Sequence, residues 1–387
     1  MKAAYATNVG HYDHVLYAMN SIFDEVTLVR RPEPTPRQVK FLESVHAPKR
    51  VLTMLNRRAR EPIKVPHSVK LLGLGDLALT AAVQSGRRLS PDMFRRATEY
   101  SAKRVAKFTA GDNVLHFLEG LGHQALRRGH YFASICERRA MHHAVFEGDF
   151  PSIGSFPHIA RTDPIGELLD FEYEASTKIL VYSQAAKRSF LERGFDEDKL
   201  LVAPIGVPRQ LPVTALPRDS YKIAFVGRGD VYKGLDLAVA AIGKLGSPYK
   251  LHVAGPMRNE VLNWLKFQPH VVYEGLLNKI QLRELYSTSA IMVLPSIEAF
   301  GLAVAEAYHH GLHVLCMPET GISEYLPQDA CTLVSGRDPD YWAFRIRELT
   351  QMEGDLMSPV PDESVRTAAI SWAEATKRLA DAYSLLM

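Results

Sequence analysis

Cysteine is scarce in this chain: Cys136, Cys316 and Cys331 are the three among 387 residues, each in apolar sequence and none in disulfide or metal-ligand spacing. They predict reduced core residues in the cytoplasm, not a disulfide frame or a metal cluster. Long hydrophobic runs are missing as well. No apolar run follows Met1-Lys2, and none approaches the roughly 18 residues of a spanning helix. Neither a signal peptide nor a membrane span is therefore expected. Internal repeats, low-complexity tracts, helix-turn-helix patterns and aromatic-rich basic modules are lacking too, which removes nucleic acid from the expected partners. The nearest dinucleotide fingerprint, Gly73-x-Gly75-x-x-Ala78, has no third glycine. It also lacks a clear acidic strand end about 20 residues on, so an oxidoreductase is disfavoured.

What is present is enough apolar residue, 47%, to bury more than one core, and this length predicts two domains. A net charge of +3 hides an asymmetry. Residues 1–140 hold 23 Lys and Arg against 12 Asp and Glu, and the remainder holds 23 against 31. Basic pairs recur at Arg57-Arg58, Arg87-Arg88, Arg95-Arg96, Lys103-Arg104 and Arg127-Arg128. They fit either a solvated helix surface or a domain that meets an anionic partner, such as a membrane face or a phosphate-bearing acceptor.

Along the first half, short apolar runs at 2–6, 26–29, 51–55, 114–118 and 132–136 predict strands, with a polar helix over 91–108. A strand at 178–183, a helix over 184–193 closed by Gly194, and a strand at 200–204 follow. Pro204, Pro208, Pro212 and Pro217 then crowd one stretch, which predicts a linker over 204–218 between domains at 1–203 and 219–368. In the second half, strands at 222–227, 250–255, 270–273, 291–294, 313–317 and 331–334 alternate with helices. That alternation predicts a parallel sheet covered on both faces. An amphipathic helix closes the chain within 369–387.

Two stretches of the second half carry chemistry. Gly227-Arg228-Gly-Asp-Val-Tyr-Lys233-Gly234 follows one strand and precedes a helix. Its glycines let a ligand approach, and a guanidinium and an ammonium at one mouth suit a diphosphate. Further on, Glu298 lies in a strand-to-helix loop, and Glu306 lies in the second turn of the helix predicted over 301–310. The amides of Phe300, Gly301 and Leu302 at that helix start can receive an anion or a sugar hydroxyl. Plainer readings stand beside these: Glu306 as a solvated helix residue, Glu298 as a helix cap, and Gly321 and Glu324 as a turn and a helix start. Asp196-x-Asp198 and Asp338-x-Asp340 lack further ligands, and the adjacent pairs His142-His143 and His309-His310 would diverge on a helix, so no metal is expected.

From about residue 171 to 386 the chain resembles a retaining GT-B glycosyltransferase of glycosyltransferase family 4. The matching elements are Glu172-Tyr-Glu174, Lys199-Leu-Leu-Val-Ala-Pro-Ile-Gly-Val and Gly227-Arg228 with Lys233-Gly234. Ala254-Gly255, Glu274-Gly275, Glu298-x7-Glu306, Gly321-Ile-Ser-Glu324 and the terminal Ser371-Trp372 helix continue the series. The resemblance implies an α/β protein of two Rossmann-like domains facing a cleft, with the last helix crossing back to the N-terminal domain. It implies that Arg228, Lys233 and Glu298 are catalytic. Gly227, Phe300, Gly301, Leu302 and Glu306 would bind the donor, with Glu306 on its ribose hydroxyls.

The first half departs from that pattern. Its first loop has a single glycine, Gly10, where the family often has a pair, and Glu137, Arg138 and His142 stand where many members place a strand-end histidine. These residues, with His116 and Glu119 as competitors, are candidates for an N-domain site; a structural histidine is the plainer reading. The expected activity is metal-independent hexosyl transfer with no cofactor. A nucleoside-diphosphate sugar is the donor and a saccharide or lipid-linked molecule the acceptor, with peripheral contact at the inner membrane face through the basic first domain. A non-catalytic nucleotide-sugar-binding subunit and a GT-B epimerase or phosphorylase are the alternatives.

Overall fold

The computed structural model describes residues 1–7, 13–30, 36–44, 68–72, 90–146, 151–157, 164–206, 216–351 and 371–386. Gly10, the strand candidate at 51–55, the pairs Arg57-Arg58 and Arg87-Arg88, the 73–78 fingerprint and most of the 204–218 linker lie outside the described residues.

The chain forms two compact units. One comprises Met1–Arg138, Pro164–Leu180 and Thr376–Met387, the other Arg139–Asp163 and Val181–Ala375. These units do not follow the bounds 1–203 and 219–368, and the reason is long-range packing. Phe156 is buried in the second unit and meets Trp264 edge-on at 4.9 Å, while the Ile153 amide donates to Asp236 at 2.9 Å. Local periodicity carries no trace of such contacts.

The first sheet contains β1 (Lys2–Thr7), β2 (Glu25–Arg30), β3 (Ser68–Leu71), β4 (Val114–Leu118), β5 (Ala133–Glu137), β6 (Lys178–Val181) and β7 (Leu200–Val202). Their order is β3-β2-β1-β4-β5-β6-β7, and β1 runs parallel to both β2 and β4. Val114-Leu-His-Phe-Leu118 is buried at every position, as a strand covered on both faces must be. Helix Pro91–Phe108 starts where expected because Ser90 accepts the Met93 amide and proline occupies the first turn, where its missing N–H costs nothing. Ala102, Val105 and Ala106 form its buried stripe.

The second sheet holds β8 (Asp219–Val226), β9 (Lys250–Ala254), β10 (Val271–Gly275), β11 (Ser289–Leu294), β12 (His313–Cys316) and β13 (Cys331–Leu333). Its order is β10-β9-β8-β11-β12-β13. The chain therefore builds outward from β8 to β10, then returns to the opposite side of β8 with β11. Ile223 pairs Ile291 and Ala224 pairs Met292 in this parallel contact. Such a reversal leaves a crevice at the carboxyl ends of the two strands, where open α/β sheets bind ligands. Among the described residues no helix is long and apolar enough to cross a membrane.

The three cysteines are free and buried. Cys316 and Cys331 are not isolated, however: neighbouring parallel strands bring their Sγ atoms to 3.5 Å.

Candidate functional site

The loops after β8 and β11 share the crevice of the second unit. After β8 the chain passes Gly227, Arg228, Gly229 and Asp230, makes a 3-10 turn over Val231–Lys233 and enters helix Leu235–Leu245. Gly234 joins turn to helix at φ 73°, and a Cβ there would lie 2.2 Å from the Pro295 carbonyl oxygen of the other loop. Only glycine fits both constraints. The Ile297 amide donates to the Tyr232 carbonyl at 2.9 Å, which fixes one loop against the other.

Lys233 and Glu298 meet across this junction. Nζ donates to Oε2 at 2.5 Å, and the two side chains keep 18% and 19% of their exposure. Ser296 donates to the other Glu298 oxygen at 2.8 Å. The Glu298 backbone is also held: its amide donates to Glu319 O at 3.1 Å, and its carbonyl accepts from the Gly321 amide at 2.9 Å. Glu298 therefore does not cap the following helix. The N-cap is Gly301, at φ 109°. The amides of Phe300, Gly301 and Leu302 have no acceptor among the described residues, so an anion or hydroxyl can use them.

Arg228 is the more exposed cation. Its Nη2 donates to the Tyr232 hydroxyl at 2.9 Å, its Nε lies 3.2 Å from Asp230, and the guanidinium sits 5.6 Å from the Tyr232 ring centroid. Glu306 is half-buried rather than a solvated helix residue. Burial pushes its carboxyl up, against the hydroxyl of Tyr286, which donates at 3.4 Å, and the charge of Lys279.

Gly321 and Glu324 lie in the 3-10 turn Gly321–Tyr325. Glu324 accepts the amides of Gln184 and Ala185, each at 2.7 Å, at the start of helix Gln184–Leu191. Asp340 is paired with Lys244 at 3.0 Å.

In the first unit, His116 and Glu137 come together, but inside the core. Both side chains are fully buried with His116 Nε2 3.4 Å from Glu137 Oε2. Tyr5 donates to Glu137 at 2.7 Å, and His116 Nδ1 lies 2.5 Å from the Tyr383 hydroxyl. Arg138 is buried and pairs with Glu119. His116, Glu137 and Arg138 are buried, which a strand-end position in the sequence could not reveal, while Glu119 keeps 19% of its side-chain exposure. His142 belongs to the second unit. It is buried, its amide donates to Ser189, and its ring stacks on His143 at 4.6 Å instead of diverging from it. Glu172, read from the sequence only as part of a matching triplet, is a fully buried carboxylate. It accepts the amides of Gly120, Gly122 and His123 at 2.6, 2.7 and 2.8 Å.

Residues 220–352 match the family model described as Glycosyl transferases group 1. A D-inositol 3-phosphate glycosyltransferase of Xylanimonas cellulosilytica is 28% identical over 252 residues, 57% of this chain. The match spans 60% of that relative's length. Among solved structures, a sucrose-phosphate synthase from Thermosynechococcus elongatus superposes with a TM-score of 0.68 at 17% identity, covering 100% of this chain and 99% of its own. HepE from Anabaena in complex with UDP-glucose gives 0.61 at 12% identity, with 100% of both chains covered. These likenesses, with the two parallel sheets, show the GT-B fold of two Rossmann-like domains.

Proposed function

We propose that the chain is a retaining glycosyltransferase that moves a hexose-type sugar from a nucleoside-diphosphate donor to an acceptor hydroxyl. The observation that carries this reading is the Lys233–Glu298 pair at the reversal between β8 and β11. Arg228 lies on the same loop as Lys233, and the open amides of residues 300–302 follow Glu298 directly. The match to a glycosyltransferase family model over this same unit supports it.

In this reading Arg228 and Lys233 hold the diphosphate, Glu306 takes the ribose hydroxyls, and Glu298 with its neighbouring amides faces the sugar and the distal phosphate. As the anomeric carbon–oxygen bond breaks, charge gathers on the diphosphate. Two cations stabilise that charge more than the ground state, which is what accelerates the step. They do so with no metal ion. The acceptor is a saccharide or lipid-linked molecule in cell-surface polysaccharide assembly, met on the cytoplasmic side of a membrane. Exposed Arg96 and Lys107 on helix Pro91–Phe108 support an anionic contact, while Lys103 pairs with Glu99 at 3.3 Å. Arg95 and Arg104 contribute less, since each donates to a backbone carbonyl, of Pro164 and Leu71 respectively.

A panel of UDP-, GDP- and ADP-sugars tests the reading by thermal shift, because a ligand of the folded state raises its melting point. One donor should stabilise the protein and be slowly hydrolysed without an acceptor. Silence across the panel refutes a donor site. A second reading, a nucleotide-sugar-binding subunit without catalysis, is favoured by the burial of His116, Glu137 and Arg138; tight donor binding with no turnover across acceptors would select it.

A further inference from the structure

We propose that Arg337 and Asp236 are positioning residues that hold the turn presenting Lys233, a proposal that rests on the transferase reading above. Asp236 is 1% exposed and lies in the first turn of helix Leu235–Leu245, three residues after Lys233. A carboxylate so buried is costly unless it is paired. Arg337 supplies the pair: its Nη2 donates to Asp236 Oδ2 at 2.5 Å, and the Ile153 amide reaches the same oxygen at 2.9 Å.

The guanidinium also reaches past the carboxylate. Its Nη1 donates to the Val231 carbonyl at 3.3 Å, at the opposite end of the turn that carries Lys233. Within the turn, the Lys233 amide donates to Asp230 O at 3.1 Å and the Gly234 amide to Val231 O at 2.9 Å. Arg337 thus bridges the residue that opens the turn and the helix that closes it. Its own backbone is anchored next door, where the indole of fully buried Trp342 donates to Gly336 O at 3.0 Å. Arg337 and Asp236 reach the Lys233 turn through the Val231 carbonyl and the first turn of the helix that follows. Their effect on the reaction runs through the position of Lys233 Nζ.

The test uses the full chain with Arg337→Ala, Arg337→Lys and Asp236→Asn, alone and combined with Lys233→Ala. UDP, GDP and ADP are the probes in calorimetry, and backbone hydrogen exchange is followed at 231–234. Arg337→Ala should weaken the diphosphate that binds wild type by about tenfold, since a small misplacement of a binding group suffices for that. Arg337→Lys should recover part of the loss. In a Lys233→Ala background Arg337→Ala should cost nothing more. Exchange at 231–234 should quicken while β8 keeps its protection. If Arg337→Ala does not fold, the Lys and Asn variants carry the same comparison. Unchanged exchange at 231–234, or losses that add fully with Lys233→Ala, overturns the proposal. If wild type binds none of the three diphosphates, the transferase reading falls, and the exchange data still decide whether Arg337 holds the turn.

Discussion

Lys233 Nζ and Glu298 Oε2 lie 2.5 Å apart, joining loops that follow neighbouring parallel strands. The two opposite charges neutralise each other. In the proposed reading a diphosphate would compete with Glu298 for the ammonium, and the pair would link donor binding to the carboxylate that faces the sugar.

Lys233→Ala should therefore slow turnover about tenfold to a hundredfold or more, the equivalent of one charge-assisted hydrogen bond of roughly 1.5–3 kcal/mol. Glu298→Gln should act differently. It frees the ammonium, so the nucleoside diphosphate should bind more tightly while sugar transfer falls. Calorimetry with the diphosphate, beside kcat with the intact donor, separates the two effects, and equal rates in wild type and Lys233→Ala would remove the lysine from the chemistry.

Arg228 keeps 54% of its side-chain exposure, so Arg228→Ala should leave stability within about 0.5 kcal/mol. Its turnover should fall on the scale set for Lys233. Tyr232→Phe removes the hydroxyl that donates to Asp230 at 2.6 Å and accepts from Arg228. A smaller loss is expected there, visible in KM before kcat. Thermal melts and steady-state kinetics on both variants check this.

Burial raises the Glu306 carboxyl, which sets a pH dependence. An ionised carboxylate accepts ribose hydroxyls more strongly than a protonated one, so donor affinity should decline as pH falls through its raised folded pKa. In Glu306→Gln that dependence should vanish, with weaker donor binding above that pKa. The stability effect has the opposite sense. A carboxyl whose folded pKa exceeds its unfolded one favours folding at low pH and loses that advantage as pH rises. Glu306→Gln should thus melt higher than wild type at pH 7, even though it binds donor less well.

Asp112 offers the same linkage away from the crevice. Burial lifts its pKa to about 6, with Lys2 pulling it down and Glu25 pushing it up. Ionising it at pH 7 costs stability, about 1 kcal/mol once its half-exposed setting is allowed for. Asp112→Asn should raise the melting point at pH 7 and lose that advantage below about pH 4. A melt series from pH 3.5 to about 8 reads both limits.

The second sheet was legible because its strands are short apolar runs bounded by glycine or proline. The run at 291–294 became Ser289–Leu294, and the helix expected over 301–310 became Leu302–His309. The loops between them follow from strand ends, which puts Arg228, Lys233 and Glu298 on strand-to-helix loops and Glu306 on helix Leu302–His309. Ser68–Leu71 was not legible. It is exposed at every position, and the alternation of Ser68-Val69-Lys70-Leu71 spans only four residues, too short to mark a strand. Nor does sequence show that Glu137 lies in the core or that Arg337 reaches Asp236, since both depend on partners about a hundred or more residues away.

His116, Glu137 and Tyr383 supply the sharpest contrast between a residue type and its role. Histidine and glutamate together suggest acid–base chemistry, yet here both are fully enclosed, with the Tyr5 ring 4.8 Å from the imidazole. His116→Ala would empty that space and leave the Tyr383 hydroxyl without its partner. A loss of roughly 2–4 kcal/mol is expected from a cavity combined with an unsatisfied buried group. Glu137→Gln keeps the shape and an acceptor for Tyr5, so it should cost less. Urea midpoints measure both changes, and donor affinity should stay at the wild-type value because the crevice residues belong to the other unit. A fall in kcat larger than the unfolded fraction explains would return His116 to the chemistry and end the structural reading.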